Sequence, residues 1–324
     1  MKKVVIFGGG SGLSQLLKGM TKFPMYVTAV VSVADNGKST GRLREEFAIP
    51  AVGDITKVLM AMSTESKGVK DLFNYRFSNN SSIGNHSIKN LIMTALLEMK
   101  GDFAHALPIL CDLLDVKGKL LPLTEDNVDL IGITNDGEEI VGEEQITESK
   151  QKIKQLKYNK DITVYPKVLE ELKKADLIVF SSGSLLTSIM PHIIVPEIQE
   201  AIKSSKAKKM YICNMITQPG ETDNFKVSDH LKVLEQYLGK DVINVVVANN
   251  AKLPKNMSLF AKSEGKEPVD IDEKKIEKMG IHLIEEKLFT VEEGYIRHDS
   301  LKTAFLMFAY LMENEQQKWH LQQD

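Results

Sequence analysis

The chain has 324 residues and a formal net charge of −3, with 43% hydrophobic and 26% charged positions. This balance fits a globular α/β protein with a large core and lacks the basic excess of a nucleic-acid binder. Cys111 and Cys213 lie too far apart for a disulfide framework or a CxxC-type zinc site. With no apolar run near the ~18 residues that span a bilayer and no signal-type N-terminus, a cytoplasmic protein without membrane insertion is expected.

The chain opens with Val4-Val5-Ile6-Phe7, which passes into Gly8-Gly9-Gly10-Ser11-Gly12. β-Branched residues, then glycines, then Leu13, Leu16, Leu17 and Met20 at helical spacing predict strand, loop and helix, the helix running to about Gly19. Such a junction leaves free backbone N–H groups at a helix N-terminus, where hydrogen bonds and the helix dipole stabilise a phosphate. Residues 26–33 (YVTAVVSV) read as a buried parallel strand. A polar loop follows, Ala34-Asp35-Asn36-Gly37-Lys38-Ser39-Thr40-Gly41-Arg42. A third loop, Ala51-Val52-Gly53-Asp54, leads into a helix over 55–62, and NNSSIGNHS (79–87) precedes an amphipathic helix over 88–99. Another helix is predicted over 103–114.

Over 117–166 the texture changes. Leu120-Leu121, 129–134 and 138–141 read as short strands, with Asn135-Asp136-Gly137 as a hairpin turn. They predict a β-rich appendage outside the main sheet, and the basic KQKIKQLKYNK run (150–160) reads as a solvated face. Alternation then resumes with a helix over 168–174 and the strand 176–180 (DLIVF), which ends in Ser181-Ser182-Gly183-Ser184. A helix near 195–203, a strand over 210–215, the loop 216–224 (ITQPGETDN) and a helix over 227–238 follow. The strand 242–248 ends at Asn249-Asn250, and a long loop covers 252–268. A strand near 282–289, a turn at Arg297-His298-Asp299 and a helix over 300–313 close the chain. Repeated strand–loop–helix units predict an α/β, Rossmann-like, doubly wound and mostly parallel sheet with a small β-rich appendage. The expected organisation is one unit over 1–324 with an insertion at about 117–166. In such sheets ligands sit outside the carboxyl ends of the strands.

A dinucleotide fingerprint needs G-x-G-x-x-G, yet counted from Gly8 the third glycine is Leu13, and from Gly10 it is Gln15. That weakens an NAD reading while leaving a phosphate loop intact. Asp35 ends the second strand, where it can bind a ribose, ligate a divalent cation with Asn36 beside it, or close an Asx turn. Gly37-Lys38-Ser39 resembles the end of a Walker A loop, but the first glycine that loop requires is Ser32. Lys38 and Arg42 are spaced i, i+4; an anion would relieve their repulsion, and a solvent-exposed pair is the plain alternative. His86 and Asn90 have the same spacing at the mouth of their helix, beside Ser87 as a cap; a structural histidine is the competing reading. Ser182-Gly183-Ser184 reads as a second anion-binding turn, since it lacks the flanking glycines of a nucleophile elbow. Gln218 to Thr222 reads as a base- or sugar-contacting turn, and Arg297 with His298 as a phosphate clamp or two exposed residues.

The series GGGSGL (8–13), VADNGKSTGRLR (33–44), GD (53–54), YRF (75–77), GNHSIKN (84–90), DLIVFSSGSLLTSIMP (176–191) and YICNMITQPGETDNF (211–225) carries a resemblance. In order and over nearly the whole chain, it resembles the YvcK-type gluconeogenesis factors of the CofD-like superfamily, whose enzymatic relatives are the 2-phospho-L-lactate transferases. The resemblance implies a Rossmann-like fold and a nucleotide-type ligand. In the YvcK branch it implies UDP-sugar binding, a protein partner in cell-wall metabolism, and a role in cell shape during growth on gluconeogenic carbon sources. In the CofD branch it implies magnesium-assisted transfer of a phospholactyl group from a guanylyl donor to a deazaflavin.

Carried over residue by residue, Gly8, Gly9, Gly10, Ser11 and Gly12 match the family's first phosphate loop, and Asp35 its first acidic position. Gly183, Ser184 and Ser188 match its second glycine–serine loop. Asn214, Thr217 and Gln218 match the nucleotide-side loop, and Arg297 the arginine expected near a sugar diphosphate. Asn36, Lys38, Ser39, Arg42, His86, Asn90 and Asn249 complete the expected ligand-binding set, with Asp35 as the metal position and Asp35 and Asp54 as catalytic candidates. The chain departs from the family where two acids and two glycines become Asp35-Asn36-Gly37-Lys38, where Gly-Pro-Gly-Ser becomes Ser-Ser-Gly-Ser (181–184), and where Lys89 replaces a glycine. Phe260 stands where a tyrosine is usual. One carboxylate fewer and two added ammonium groups suit a diphosphate and lessen dependence on magnesium. The leading expectation is a nucleotide-sugar-binding regulator with little or no turnover. The alternatives are a magnesium-dependent transferase using Asp35 and Asp54 on a nucleotide-activated donor, and an NAD-binding oxidoreductase. Which nucleotide or sugar, which partner, and whether the chain forms a homo-oligomer stay open.

Overall fold

Alternation within the apolar strands decides the architecture. Val4 and Ile6 enter one buried cluster, while Val5 and Phe7 enter the other. The same split separates Leu177 and Val179 from Ile178 and Phe180, and Val245 and Val247 from Val246 and Ala248. Strands buried on both faces need helices on both faces, which a parallel sheet with crossover connections provides.

The computed structural model of the chain describes residues 1–78, 81–292 and 294–320; the side chains of Lys38 and of 314–320 lie outside the described part. The first half comprises β1 (Lys2–Gly8), α1 (Gly10–Met20), β2 (Met25–Val31), α2 (Lys38–Phe47), α3 (Gly53–Met62), α4 (Lys67–Asn74), α5 (Ile88–Lys100), α6 (Phe103–Leu113) and β3 (Lys119–Pro122). Then come β4 (Leu130–Thr134), β5 (Glu139–Val141), α7 (Glu143–Ser149), β6 (Ile153–Tyr158), α8 (Pro166–Lys174) and β7 (Leu177–Phe180). A π-helical turn (Leu185–Ile189) leads into α9 (Met190–Ile193), α10 (Pro196–Ser204), β8 (Lys208–Ile212), α11 (Val227–Leu238) and β9 (Val245–Asn249). The chain ends with α12 (Lys255–Ser263), α13 (Glu273–Lys278), β10 (His282–Glu286), β11 (Phe289–Glu292), β12 (Tyr295–His298) and α14 (Ser300–His320).

Seven strands form one sheet in the order β10-β9-β8-β7-β1-β2-β3, and every pairing in it is parallel. From β1 the chain winds outward through β2 and β3, then returns to β7 on the other side of β1 and winds the opposite way. The expected doubly wound fold is therefore present, with its switch point between β1 and β7. Leu13, Leu16, Leu17 and Met20 of α1 are fully buried against one face, each stabilising the fold by about 1.5–3 kcal/mol. On the other face Leu231, Leu234 and Leu238 of α11 pack with Ile198 and Ile202 of α10.

Four expectations need correction. Leu120 and Leu121 belong to β3, which pairs with β2 at the edge of the main sheet and not in the appendage. The rest of the insertion forms the antiparallel sheet β5-β4-β6, with β6 running through the basic stretch. The segment near 282–289 is two strands: β10 closes the main sheet, and β11 turns back on β12. Arg297 and His298 thus lie in a strand, and the expected long loop over 252–268 carries α12.

Candidate functional site

At the switch point two loops leave the sheet side by side. β1 ends at Gly8, Gly9 is an extended N-cap with no side-chain cap, and α1 begins at Gly10. A Cβ on Gly12 would lie 2.0 Å from the Ser182 carbonyl oxygen, and one on Gly8 would lie 2.1 Å from Ser181 Oγ. Only glycine permits this approach, so the two loops share one wall. The loop after β8 locks the second loop from the other side. Gly183 N–H donates to Asn214 Oδ1 at 2.9 Å, and Asn214 Nδ2 donates to the Gly183 carbonyl at 2.6 Å. The hairpin closes the mouth. Its His298 Nε2 meets the Cys213 carbonyl at 3.2 Å, and Gln15 Nε2 donates to the His298 carbonyl at 3.2 Å.

The result is a cleft of about 330 Å³ at the carboxyl ends of β1, β7 and β8. Gly9, Ser11, Gly12, Gly183, Ser184, Ser188, Asn214, Thr217, Gln218 and Arg297 all line it, so ten of the expected ligand-binding residues converge there. Gly8 and Gly10 shape the loop without lining the cleft. Lys266 joins the lining unannounced by the sequence. It is carried there because Thr217 and Glu267 exchange hydrogen bonds at 2.7 and 2.9 Å. Ser184 also braces the wall it belongs to. Its Oγ donates to Glu221 Oε2 at 2.9 Å and accepts from Thr187 N at 2.9 Å, capping the π-helical turn. Burial pushes the Glu221 carboxyl up to about 7, opposed by donors from Leu186, Ser184 and Leu185.

Behind the glycine loop lies an acidic group. Asp35 Oδ1 accepts from Gly37 N at 2.9 Å, the Asx turn among the readings of that residue. Asp54, at the start of α3, meets Lys57 Nζ at 3.3 Å and accepts from the Gly10 backbone. Burial first, and then the Asp35 charge, push its carboxyl up to about 6. Glu143 at the start of α7 is held well above the usual carboxylate range by burial and by Asp54 and Asp35. Asn36 is engaged elsewhere, donating from Nδ2 to Gln145 Oε1 at 2.6 Å and accepting from Glu144 N at 2.9 Å. Asn36 thereby fastens the insertion to the β2 loop. Among the described residues no group of three or more His, Cys, Asp or Glu is arranged to hold a metal ion.

The other expected residues are placed apart from the cleft. Ser39 Oγ meets His86 Nδ1 at 3.1 Å, Asn90 Nδ2 donates to Ser39 Oγ at 3.4 Å, and Thr56 Oγ1 donates to Asn90 Oδ1 at 2.7 Å. These side chains are buried and knit α2, α3 and α5 together, which is the structural reading of His86. Arg42 donates to the Gly84 carbonyl at 3.3 Å and the Ser82 carbonyl at 3.5 Å, closing the loop before α5. Asn249 holds Ala251 and Leu288 and faces a different cavity, of about 570 Å³, beyond β9. The Lys38 side chain lies outside the described part.

Comparison with known proteins agrees with this geometry. The family described as 2-phospho-L-lactate transferase CofD matches residues 4–289. The chain is similar to the gluconeogenesis factor of Bacillus subtilis, 40% identical over 96% of this chain and 98% of that protein. It is similar also to a putative gluconeogenesis factor of Thermotoga maritima, 42% identical over 93% of this chain and 97% of the other. A crystal structure of a UPF0052-family protein from Bacillus halodurans superposes with a TM-score of 0.91 at 38% identity, covering 94% of this chain and 99% of that one. The chain belongs to the CofD family and, within it, groups with the gluconeogenesis factors.

Proposed function

We propose that the chain is a cytoplasmic nucleotide-sugar-binding protein, with a UDP-sugar as its ligand. On this reading it regulates cell-wall and central carbon metabolism through a protein partner, with little or no turnover. The observation that carries the reading is the convergence of the Gly9–Gly12 turn, the Gly183 loop, Asn214 and Arg297 on one cleft at the switch point. Backbone N–H groups of α1 and an exposed guanidinium suit a diphosphate. Low turnover is supported by two side chains tied up elsewhere: Asn36 holds the insertion, and Asp54 is paired with Lys57. A UDP-sugar is expected to raise the melting temperature equally with and without EDTA, and Arg297→Ala is expected to remove most of that rise. No stabilisation by any nucleotide sugar would sink the reading.

One observation favours a magnesium-dependent transferase as the second reading. Asp35, Asp54 and Glu143 press on one another electrostatically, and a divalent cation would relieve them. Asp35 and Asp54 would hold the cation, which would offset charge on a transferred phosphodiester. Product formed from a nucleotide-activated donor only when magnesium is present would put this reading first.

A further inference from the structure

A second and larger cavity, of about 770 Å³, shares Ser11, Gln15 and Arg297 with the cleft and opens between α1, α3, α4 and α5. Its walls are cationic. Lys18, Lys57, Lys70 and Lys89 each come from a different helix, and Arg297 comes from β12. Among the described lining residues the single acid is Glu292, whose Oε1 accepts from Gln15 Nε2 at 2.9 Å.

Three of these lysines have neutral partners, and Lys18 Nζ donates to Gln15 Oε1 at 3.1 Å. Lys70 Nζ donates to the Ser63 carbonyl at 2.7 Å, and Lys89 Nζ to Asn74 Oδ1 at 2.7 Å. Burial pushes the Lys89 ammonium down to about 8, and the charges acting on it, Lys57 and Arg76, are both cations. Elsewhere in this fold lysines find carboxylates, as Lys119 does with Glu171, Lys157 with Glu139 and Lys232 with Asp229. Lys57 is paired with Asp54, but the ammonium groups of the other three helices face the same space without matching acids and leave a charge that an anion would neutralise.

We propose that this cavity is a second anion site, which takes a compact, multiply charged group such as a diphosphate, a phosphate ester or a polycarboxylate. It goes beyond the nucleotide-sugar reading and does not depend on it. The anion arrives in one of two ways. It is an acidic group at the far end of the nucleotide ligand, reaching past Ser11 and Arg297, or it is a separate small anion bound at the same time.

The deciding experiment is titration calorimetry on the full chain with inorganic pyrophosphate, alone and with the cleft saturated by UDP. The variants are Lys70→Ala with Lys89→Gln, and a charge-matched control, Lys173→Ala with Lys174→Gln, on the exposed side of α8. Loss of two charge-assisted contacts is expected to weaken pyrophosphate about tenfold or more, while the control shifts by less than about twofold. Lys18→Gln, an exposed residue of α1, gives an independent reading with a loss of about threefold, should the double variant fail to fold. Pyrophosphate binding to the UDP-saturated protein identifies a separate anion. A preference for UDP-glucuronate over UDP-glucose that vanishes in the double variant identifies an acidic group on the nucleotide ligand. If the chain binds no UDP, the lysine dependence of pyrophosphate binding still decides. Pyrophosphate affinity unchanged in both lysine variants, with no preference for UDP-glucuronate, overturns the proposal.

Discussion

A methyl group on Gly12 would meet a backbone carbonyl at the centre of the molecule, where neither loop can retreat without disturbing β1 or β7. Gly12→Ala is therefore expected to destabilise the fold by about 1–3 kcal/mol and to abolish stabilisation by a UDP-sugar. An unchanged urea midpoint would show that the loops tolerate separation. The glycine–serine loops were legible in the sequence because each follows an apolar strand, and a strand end in a parallel sheet is where ligands bind. Ser39, His86 and Asn90 stand apart from the cleft for a definite reason. Spacing of i, i+4 puts side chains on one helical face, but it does not say whether that face looks at a ligand or at a neighbouring helix. Lys266 and Glu143 reach the site through contacts distant in sequence, which no local pattern records.

Glu221 joins two elements that the chain makes separately. Its carboxylate accepts from Leu186 N at 2.8 Å and from Ser184 Oγ at 2.9 Å, so the turn after β8 holds the N-terminus of the π-helical segment after β7. Glu221→Ala strands both donors in a half-buried place and is expected to cost about 1–3 kcal/mol. Because the Gly183–Ser184 wall is held through this bond, UDP-sugar affinity should fall with it. Destabilisation without any loss of affinity would separate the latch from the cleft. Gly220 sits in the same turn at φ +81, with the Lys150 backbone 2.4 Å from where a Cβ would lie, so the insertion rests on the latch. Long amphipathic elements such as α5 and α11 were legible at nearly their true bounds. α7 was not, since Ile146 is its one buried residue and leaves no period to read. β6 was hidden because Leu156 is its one buried residue within a lysine-rich run, which leaves no alternation to read.

Across the whole molecule, His192, His230 and His298 are buried, and burial pushes each down to about 4. In the unfolded chain they take up protons near their ordinary value of about 6.5. Their contribution is therefore complete above that pH and is lost as pH falls from about 6.5 towards 4. Asp54 and Glu221 act in the opposite sense, since carboxyls raised to about 6 and about 7 favour the fold as pH falls through those values. With three histidines against two carboxyls, these groups together should lower stability modestly as pH falls from about 6.5 to 4 and add little further change below that. His230→Asn keeps a polar group facing Tyr211 but removes one titration, so its deficit against the parent should narrow by roughly 2 kcal/mol between pH 7 and 5. Parallel urea series at the two pH values test this, and a constant deficit would assign the pH dependence elsewhere. The doubly wound class was readable from alternation alone, but the placement of β3 was not, because a four-residue edge strand carries too few apolar positions to declare its sheet. The pairing of β1 with β7 also governs how the chain must be made. Val4 to Phe7 leave the ribosome before the other strands of the sheet, yet the strand that covers their open edge, Leu177 to Phe180, is more than half of these 324 residues away. At ~5–20 residues per second the wait is on the order of 10–30 s. During synthesis the centre of the finished sheet is thus an apolar strand with one unsatisfied edge, open to pairing with another chain until β7 emerges.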